Sequence, residues 1–158
     1  MKTYSVNGVA DTLIDLARNE GIVVSNLKLQ KLMYYAQAWN LVFKNRPLFD
    51  EEIEAWVHGP VVPSLFRRFK ENRWSPIDSE IHPIDDVELR TFLMKILKAY
   101  GKYGASQLEE LTHLEEPWKI ARGATPPDEP SHAVIRRETM RSFYTRMAHE
   151  KRKTKEKA

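Results

Sequence analysis

The chain has 158 residues, of which 42% are hydrophobic and 30% charged, a composition typical of one globular domain. It contains no cysteine, which excludes disulfides and thiolate metal sites, and it has no signal-peptide or membrane-spanning run, so we expect a cytoplasmic protein. The net charge of +3 arises at residues 150–158, which hold five basic and two acidic residues. We therefore predict a neutral domain over residues 1–149 and a basic, disordered tail over residues 150–158.

The first half of the chain predicts two helices with serine or asparagine at their starts. One helix should follow Ser5 and end at Gly21. A longer helix should begin at Ser25 or Asn26 and run to about Phe43. The apolar positions of this helix step by three and four, which predicts that it forms the spine of the core. They are Leu29, Leu32, Met33, Ala36, Trp39 and Phe43.

The middle of the chain contains its most extended segment. Residues 53–58 alternate apolar and polar side chains, which predicts one short strand that ends at Gly59 and Pro60. A short helix over residues 63–72 should follow, since its first residue is a proline. Residues 74–86 contain two prolines and isolated isoleucines, a pattern typical of a loop.

The second half of the chain again predicts helices. One should span residues 86–103, a second should be capped by Ser106, and the last should begin at Ser131 or His132. Taken together, these elements predict a mainly α fold. We expect one compact domain of about six or seven helices, with one small extended element around residues 48–62.

No catalytic motif is present in the sequence. It lacks the phosphate-binding pattern G-x-x-x-x-G-K-[ST], the nucleophile pattern G-x-S-x-G and the zinc-binding pattern H-E-x-x-H. The five histidines are far apart in sequence, whereas a metal site needs three or four converging ligands. Adjacent acidic residues fit exposed faces and helix starts better than general acid–base catalysis. We therefore predict a protein that is not an enzyme and that binds no metal or other cofactor.

A group of basic side chains on the last predicted helix is a candidate contact surface. The nearby Phe143 and Tyr144 fit the buried stripe of that helix better than an exposed stacking platform, so we favour a protein partner over nucleic acid. Nucleic-acid binding by this helix and the tail is the alternative. The basic residues are Arg136, Arg137, Arg141 and Arg146.

The most unusual local sequence is WVHGP at residues 56–60. Its Gly-Pro step predicts a tight turn, because glycine permits unusual backbone dihedral angles and proline fixes its own φ. We interpret the segment as a corner that holds Trp56 and His58 against the core, although aromatic residues beside a rigid turn are also typical of interface hot spots. The same two interpretations apply to Trp118, whereas Trp39 is predicted to lie in the core.

Four stretches between about residue 6 and residue 124 form a specific pattern. They are LKLQKLMYYAQAW at 27–39, PLFD at 47–50, IEAWVHGPVVP at 53–63, and Thr112-His113 through Glu116-Pro117-Trp118 to Ala121-Arg122. In order and spacing they resemble the Panacea-domain family, the SocA-like and GepA-like antitoxins of bacteria and phages. His58 stands where some relatives have tyrosine before the Gly-Pro step.

The resemblance implies an antitoxin that neutralises a cognate toxin, encoded by the adjacent gene, through direct protein–protein contact and without catalysis. Because the toxins of the family are chemically diverse, it also implies that recurring motif residues maintain the scaffold while variable surfaces choose the partner. Delivery of a partner to a protease is a second binding alternative. The motif residues, structural or partner-binding, are Trp39, Trp56, His58, Gly59, Pro60, His113 and Trp118.

Overall fold

The computed structural model describes residues 3–157, with side chains up to residue 155. Over this range the chain forms seven α-helices and one two-stranded sheet, which confirms the predicted mainly α fold. The elements are α1 (Val6–Asn19), α2 (Asn26–Lys44), β1 (Glu54–Trp56), β2 (Gly59–Val61), α3 (Pro63–Arg68), a 3₁₀ turn (Lys70–Asn72), α4 (Val87–Tyr100), α5 (Ala105–Leu114), α6 (Glu116–Arg122) and α7 (Arg137–Lys157). None of the helices in the described range is both long and apolar enough to cross a bilayer.

Side-chain caps fix the starts of three helices. The hydroxyl oxygens of Ser5 and Ser25 accept hydrogen bonds of 3.0 and 3.2 Å from backbone amides in the first turns of α1 and α2. Asp86 caps α4 in the same way at 2.9 Å. Ser106 does not cap α5 as predicted. That helix begins two residues earlier, after Gly104, because the side chain of its third residue accepts the Gly104 amide at 2.8 Å.

The chain is extended just before α7, so α7 begins later than the predicted Ser131 or His132. Residues 133–135 lie antiparallel to β1 and form two backbone hydrogen bonds of 2.8 Å with it and with the residue before it. This pairing satisfies backbone groups that a helix would otherwise use. α7 then continues through Lys157 and includes the described part of the predicted tail, whose last residue lies outside the described range.

The extended element is a hairpin, where the sequence predicts a single strand that ends at Gly59 and Pro60. β1 and β2 pair antiparallel, with Trp56 opposite Gly59 and Ala55 opposite Pro60. The reversal is possible because Gly59 has a φ of +100°, a conformation that side-chain-bearing residues rarely adopt. The Gly-Pro step therefore begins the second strand of the hairpin.

Helix α2 lies at the centre of the domain, and residues 26–38 are all buried. It packs against α1, α3, α4, α5, α7 and β2. Its buried polar side chains bind backbone atoms of the segments around it, which have no water to bind there. Asn26 donates to Phe66 O (2.9 Å), Lys28 to Gly101 O (2.7 Å), Lys31 to Pro60 O (3.2 Å), Gln37 to Phe49 O (2.9 Å) and Asn40 to Arg46 O (2.8 Å), while Gln30 accepts from Val62 N (2.9 Å) and Gln37 from Leu48 N (2.7 Å).

The C-terminal turn of α2 is less buried than the sequence predicts. Trp39 packs against the core but is only partly buried, and Phe43 is 64% exposed. At this turn a groove of about 400 Å³ lies between α2 and α4, and Phe43 lines it together with Phe92. The prediction that Phe43 belongs to the core is therefore wrong.

A buried cluster of tyrosines and one carboxyl group joins α2, α7 and the junction between α5 and α6. Glu115, at this junction, accepts hydrogen bonds from the hydroxyl groups of Tyr35 at 2.6 Å and Tyr144 at 2.9 Å. The Tyr34 and Tyr144 hydroxyl oxygens are 2.9 Å apart, and the Tyr35 ring stacks on Tyr100 at 3.9 Å. Burial raises the pKa of the Glu115 carboxyl above its usual value, while the two tyrosine donors oppose this shift.

The free energy of unfolding of Glu115→Gln should increase relative to that of wild type as the pH rises. In the wild type, the raised pKa means that the native state binds more protons than the unfolded state from about pH 4.5 upward, so stability falls across this window. The glutamine keeps an acceptor for both tyrosines but does not titrate. In urea unfolding, the difference between Glu115→Gln and wild type should grow by up to about 1.4 kcal/mol per pH unit within the window.

Glu115→Ala is the matched control, since it also cannot titrate but leaves both tyrosine hydroxyls without their acceptor. It should be less stable than Glu115→Gln at every pH, by about 1–3 kcal/mol for each buried donor left unpaired. Parallel pH profiles of wild type and Glu115→Gln would contradict the assigned burial effect.

Candidate functional site

The hairpin turn lies directly on α2 and α5, and glycine is the residue that fits there. A Cβ atom on Gly59 would lie 2.8 Å from Cε of Lys31 and 2.9 Å from Oγ1 of Thr112. The carbonyl of the next residue, Pro60, accepts a hydrogen bond from Nζ of Lys31 at 3.2 Å. The Gly-Pro step thus seats the turn on two helices. We call the hairpin, together with the residues of α2, α5 and α6 that lie against it, the hairpin corner.

Lys31 is the buried cation of the hairpin corner. Its side chain is 0% exposed, and desolvation lowers its pKa to about 7, although the Glu109 carboxylate nearby acts in the opposite direction. At neutral pH the amine is therefore divided between its charged and neutral forms. Both forms can donate to Pro60, so the contact with the turn does not depend on the charge.

Two residues of α6 hold the outer edge of the hairpin. Nε1 of Trp118 donates to the backbone carbonyl of Trp56 at 2.8 Å. Arg122 donates to the Ala55 carbonyl at 2.9 Å, and its guanidinium lies 4.8 Å from the centre of the Trp118 ring. The same guanidinium donates to the Pro126 carbonyl at 2.6 Å, so Arg122 also fixes the proline-rich loop that follows α6.

The His113 ring stacks on the Trp118 ring beside the hairpin. The ring centroids are 3.9 Å apart at an interplanar angle of 22°. Burial lowers the pKa of the imidazole, and Nε2 is buried without a hydrogen-bond partner among the described residues. His113 therefore packs here mainly as a neutral aromatic ring.

Trp56 and His58 point outward and are half-buried. Nε1 of Trp56 donates to Glu54 at 2.8 Å, and Nδ1 of His58 lies 2.7 Å from Oε1 of Glu109. The Trp56 ring meets Phe66 edge to face at 5.1 Å. These two motif side chains form part of the protein surface, while the hairpin backbone that carries them is held by hydrogen bonds from Lys31 and Trp118.

The structure brings six of the seven predicted motif residues together at the hairpin corner, and Trp39 lies elsewhere. Trp39 is on the part of α2 that faces α4 and α7. Its Nε1 donates to the Tyr100 hydroxyl at 2.8 Å, and its ring centroid lies 5.5 Å from that of Tyr144. The six residues at the corner are Trp56, His58, Gly59, Pro60, His113 and Trp118.

The four predicted contact arginines are engaged in contacts within the chain. Three of them connect α7 to the loop after α2, to the segment before β1 and to α6, while Arg136 precedes α7 and pairs with a residue of its first turn. Arg136 lies 3.9 Å from Glu138, Arg137 donates to the Asp50 carbonyl (2.7 Å), Arg141 donates to Asn45 (2.8 Å) and Arg146 pairs with Glu116 (2.9 Å).

The roles of Lys31 and Arg122 are visible only in three dimensions. Both lie within the stretches that resemble the family, but their own residue types do not predict what they bind. The signal for Lys31 in the sequence is its position on α2, away from the stripe that carries Asn26, Gln30, Gln37 and Asn40 at helical spacing. Within the described residues, no group of three or more His, Cys, Asp and Glu side chains could hold a metal ion. The polar groups of the hairpin corner mainly bind backbone carbonyls of the chain itself.

Gly59→Ala should destabilise the fold by about 2–4 kcal/mol, because it combines an unfavourable backbone conformation with close contacts to Lys31 and Thr112. Gly21→Ala is the matched control. Its φ is also positive, at +70°, but an added Cβ would meet no atom within 4 Å. It should cost only about 1–2 kcal/mol. Equal losses in urea unfolding of the two variants would show that the close packing at Gly59 is unimportant.

Lys31→Met should reveal the pKa of the buried amine. From about pH 7 to its ordinary pKa of 10.5, the wild-type native state binds fewer protons than the unfolded state, so wild-type stability rises with pH. Methionine retains the apolar stem and does not titrate. The stability of wild type relative to Lys31→Met should therefore increase by up to about 1.4 kcal/mol per unit above pH 7. A pH-independent difference would rule out the lowered pKa.

Comparison with known proteins identifies the family to which this architecture belongs. Residues 29–119 match the family described as "Antitoxin SocA-like, Panacea domain". The chain is also 32% identical over 133 residues to the protein named Antitoxin SocA from Caulobacter vibrioides (strain NA1000 / CB15N), a match that covers 75% of this chain and 71% of that protein. No solved structure matches the chain. On the strength of the family match and this relative, the chain belongs to the SocA-like, Panacea-domain antitoxin family.

Proposed function

We propose that this protein is the antitoxin of a toxin–antitoxin pair and neutralises a cognate toxin, encoded by the adjacent gene, by direct protein–protein contact in the cytoplasm. The observation that carries the proposal is the family match, together with the similarity to Antitoxin SocA over three quarters of the chain. On this proposal the protein acts as a binding partner and catalyses no reaction.

The geometry of the hairpin corner supports a binding role. Lys31, Trp118 and Arg122 direct their polar groups to backbone carbonyls of the chain itself, where they maintain the fold. These polar groups already have hydrogen-bond partners within the chain, so they need no substrate to supply one. The side chains that remain for a partner are the exposed ones around this rigid frame.

The alternative of nucleic-acid binding through α7 receives less support. Arg137, Arg141 and Arg146 donate to groups of the same chain, and the aromatic Tyr144 is fully buried. The exposed Arg152 and Lys153 of the tail are accessible to phosphates, but residues 150–155 contain no aromatic ring on which a base could stack. No observation favours protease delivery over direct neutralisation.

The test is inducible expression of the adjacent gene with and without this protein. The neighbour alone should stop growth, co-expression should restore it, and the two proteins should purify as a complex. Empty vector and the destabilised Gly59→Ala variant are the controls. A harmless neighbour, or one that still kills in the presence of the wild-type protein, would refute the proposal. A toxin half-life that shortens on co-expression would instead indicate delivery to a protease.

A further inference from the structure

One exposed surface combines aromatic rings with free cations, and it lies on α3, the 3₁₀ turn and the adjoining face of the hairpin. We call it the aromatic–basic surface. It consists of Trp56, His58, Phe66, Arg67, Arg73 and Trp74. These side chains are half-buried or exposed, and Trp74 is the most conspicuous, since 58% of this large apolar residue is exposed.

The aromatic rings of this surface form two pairs in direct contact. Phe66 meets Trp56 edge to face at 5.1 Å, and the Arg73 guanidinium lies 6.0 Å from the centre of the Phe66 ring. Trp74 meets the His58 ring at 6.1 Å. Over the described residues, Nε1 of Trp74 donates to no protein atom. An exposed tryptophan with an unused donor, next to arginine and other aromatic rings, has the composition of an interface hot spot.

Three cations of this segment are not neutralised by any carboxylate of the described residues. Arg67, Lys70 and Arg73 are exposed and form no ion pair with any described residue. By contrast, Arg68 on the same helix pairs with the buried Asp11 at 2.8 Å. The neighbouring carboxylates of the hairpin corner are already engaged: Glu54 accepts from Trp56, and Glu109 contacts His58. The surface therefore presents positive charge to a partner.

From these contacts we infer that the aromatic–basic surface is where the toxin docks, and that the segment it receives is acidic with at least one apolar side chain. The inference rests on the proposed function. Arg67 and Arg73 would meet the acidic groups, and Trp74 would cover the apolar side chain. A polynucleotide fits less well, because Trp74 is the one ring of this surface that is mostly exposed, while Trp56 and Phe66 are half-buried and offer no row of accessible rings for successive bases.

The groove between α2 and α4 is the competing surface, and it has a different charge pattern. It is lined by Phe43 and Phe92, but its Lys44 already pairs with Glu88. Only Lys95 among the groove's cations forms no ion pair with a described residue. The groove thus offers an exposed aromatic residue of similar accessibility to Trp74 without the cluster of free cations, which makes Phe43 and Lys95 matched control positions.

The experiment measures the affinity of antitoxin variants for the tagged product of the adjacent gene after nuclease treatment. Trp74→Ala and the double variant Arg67→Glu/Arg73→Glu test the aromatic–basic surface. Phe43→Ala and Lys95→Glu are the controls. Each docking variant should weaken binding by about 30-fold or more and should lose the growth rescue. The controls should stay within about threefold of wild type. All four should unfold at the wild-type temperature, since the altered side chains are exposed.

Salt dependence provides a second measurement. Binding by wild type should weaken as the salt concentration rises, and this dependence should be smaller in the double arginine variant. Normal binding by both docking variants, or a loss of binding in the controls as well, would overturn the assigned location while leaving the antitoxin role intact. A complex that nuclease dissolves would also overturn it. If the wild-type protein neither binds nor neutralises the toxin, the proposed function itself fails.

Discussion

Helix α2 is enclosed on all sides over most of its length, and the arrangement of the surrounding segments depends on this enclosure. A buried backbone amide or carbonyl that lacks a hydrogen-bond partner costs about 1–3 kcal/mol. The backbone groups of segments that cover a helix therefore need partners within the protein. Here the covered helix supplies them. Asn26 and Gln30 bind backbone atoms of α3 and of the residue before it, and Gln37 binds those of the loop before β1. The polar residues of α2 thus position the surrounding segments through hydrogen bonds, while its apolar residues fill the core.

The hairpin corner applies the same principle near the surface. Lys31 binds the hairpin from below, Trp118 and Arg122 bind it from the side, and Gly59 allows the close approach. All these contacts reach the hairpin through its backbone, so they leave the outward side chains free to differ. This separation suits an antitoxin scaffold, because a surface carried by a fixed backbone can change its partner without changing the fold.

Much of the candidate site follows from the sequence, but its division into buried and exposed parts does not. The WVHGP segment and Trp118 are conspicuous in sequence, and they do meet at one corner. Trp39 is equally conspicuous yet packs with Tyr100 and Tyr144 on another face of α2. The arginines of α7 form a basic cluster in sequence, whereas in the fold they bind carbonyl, amide and carboxylate groups of the same chain. The residue type indicates which bonds a side chain can form, while the fold decides whether the partner is internal.

By itself, the sequence determined the fold class, the positions of most helices and the serine caps of α1 and α2, since these depend on short-range spacing and local hydrogen bonds. Only the tertiary structure decided the features that depend on contacts between distant segments. Residues 133–135 pair with β1 and so delay α7, and Lys31 becomes fully buried because the hairpin covers it. Phe43 has the spacing of a core residue but remains exposed, because α4 leaves the end of α2 uncovered. Periodicity identifies the apolar face of a helix, but burial also requires another element to pack on that face.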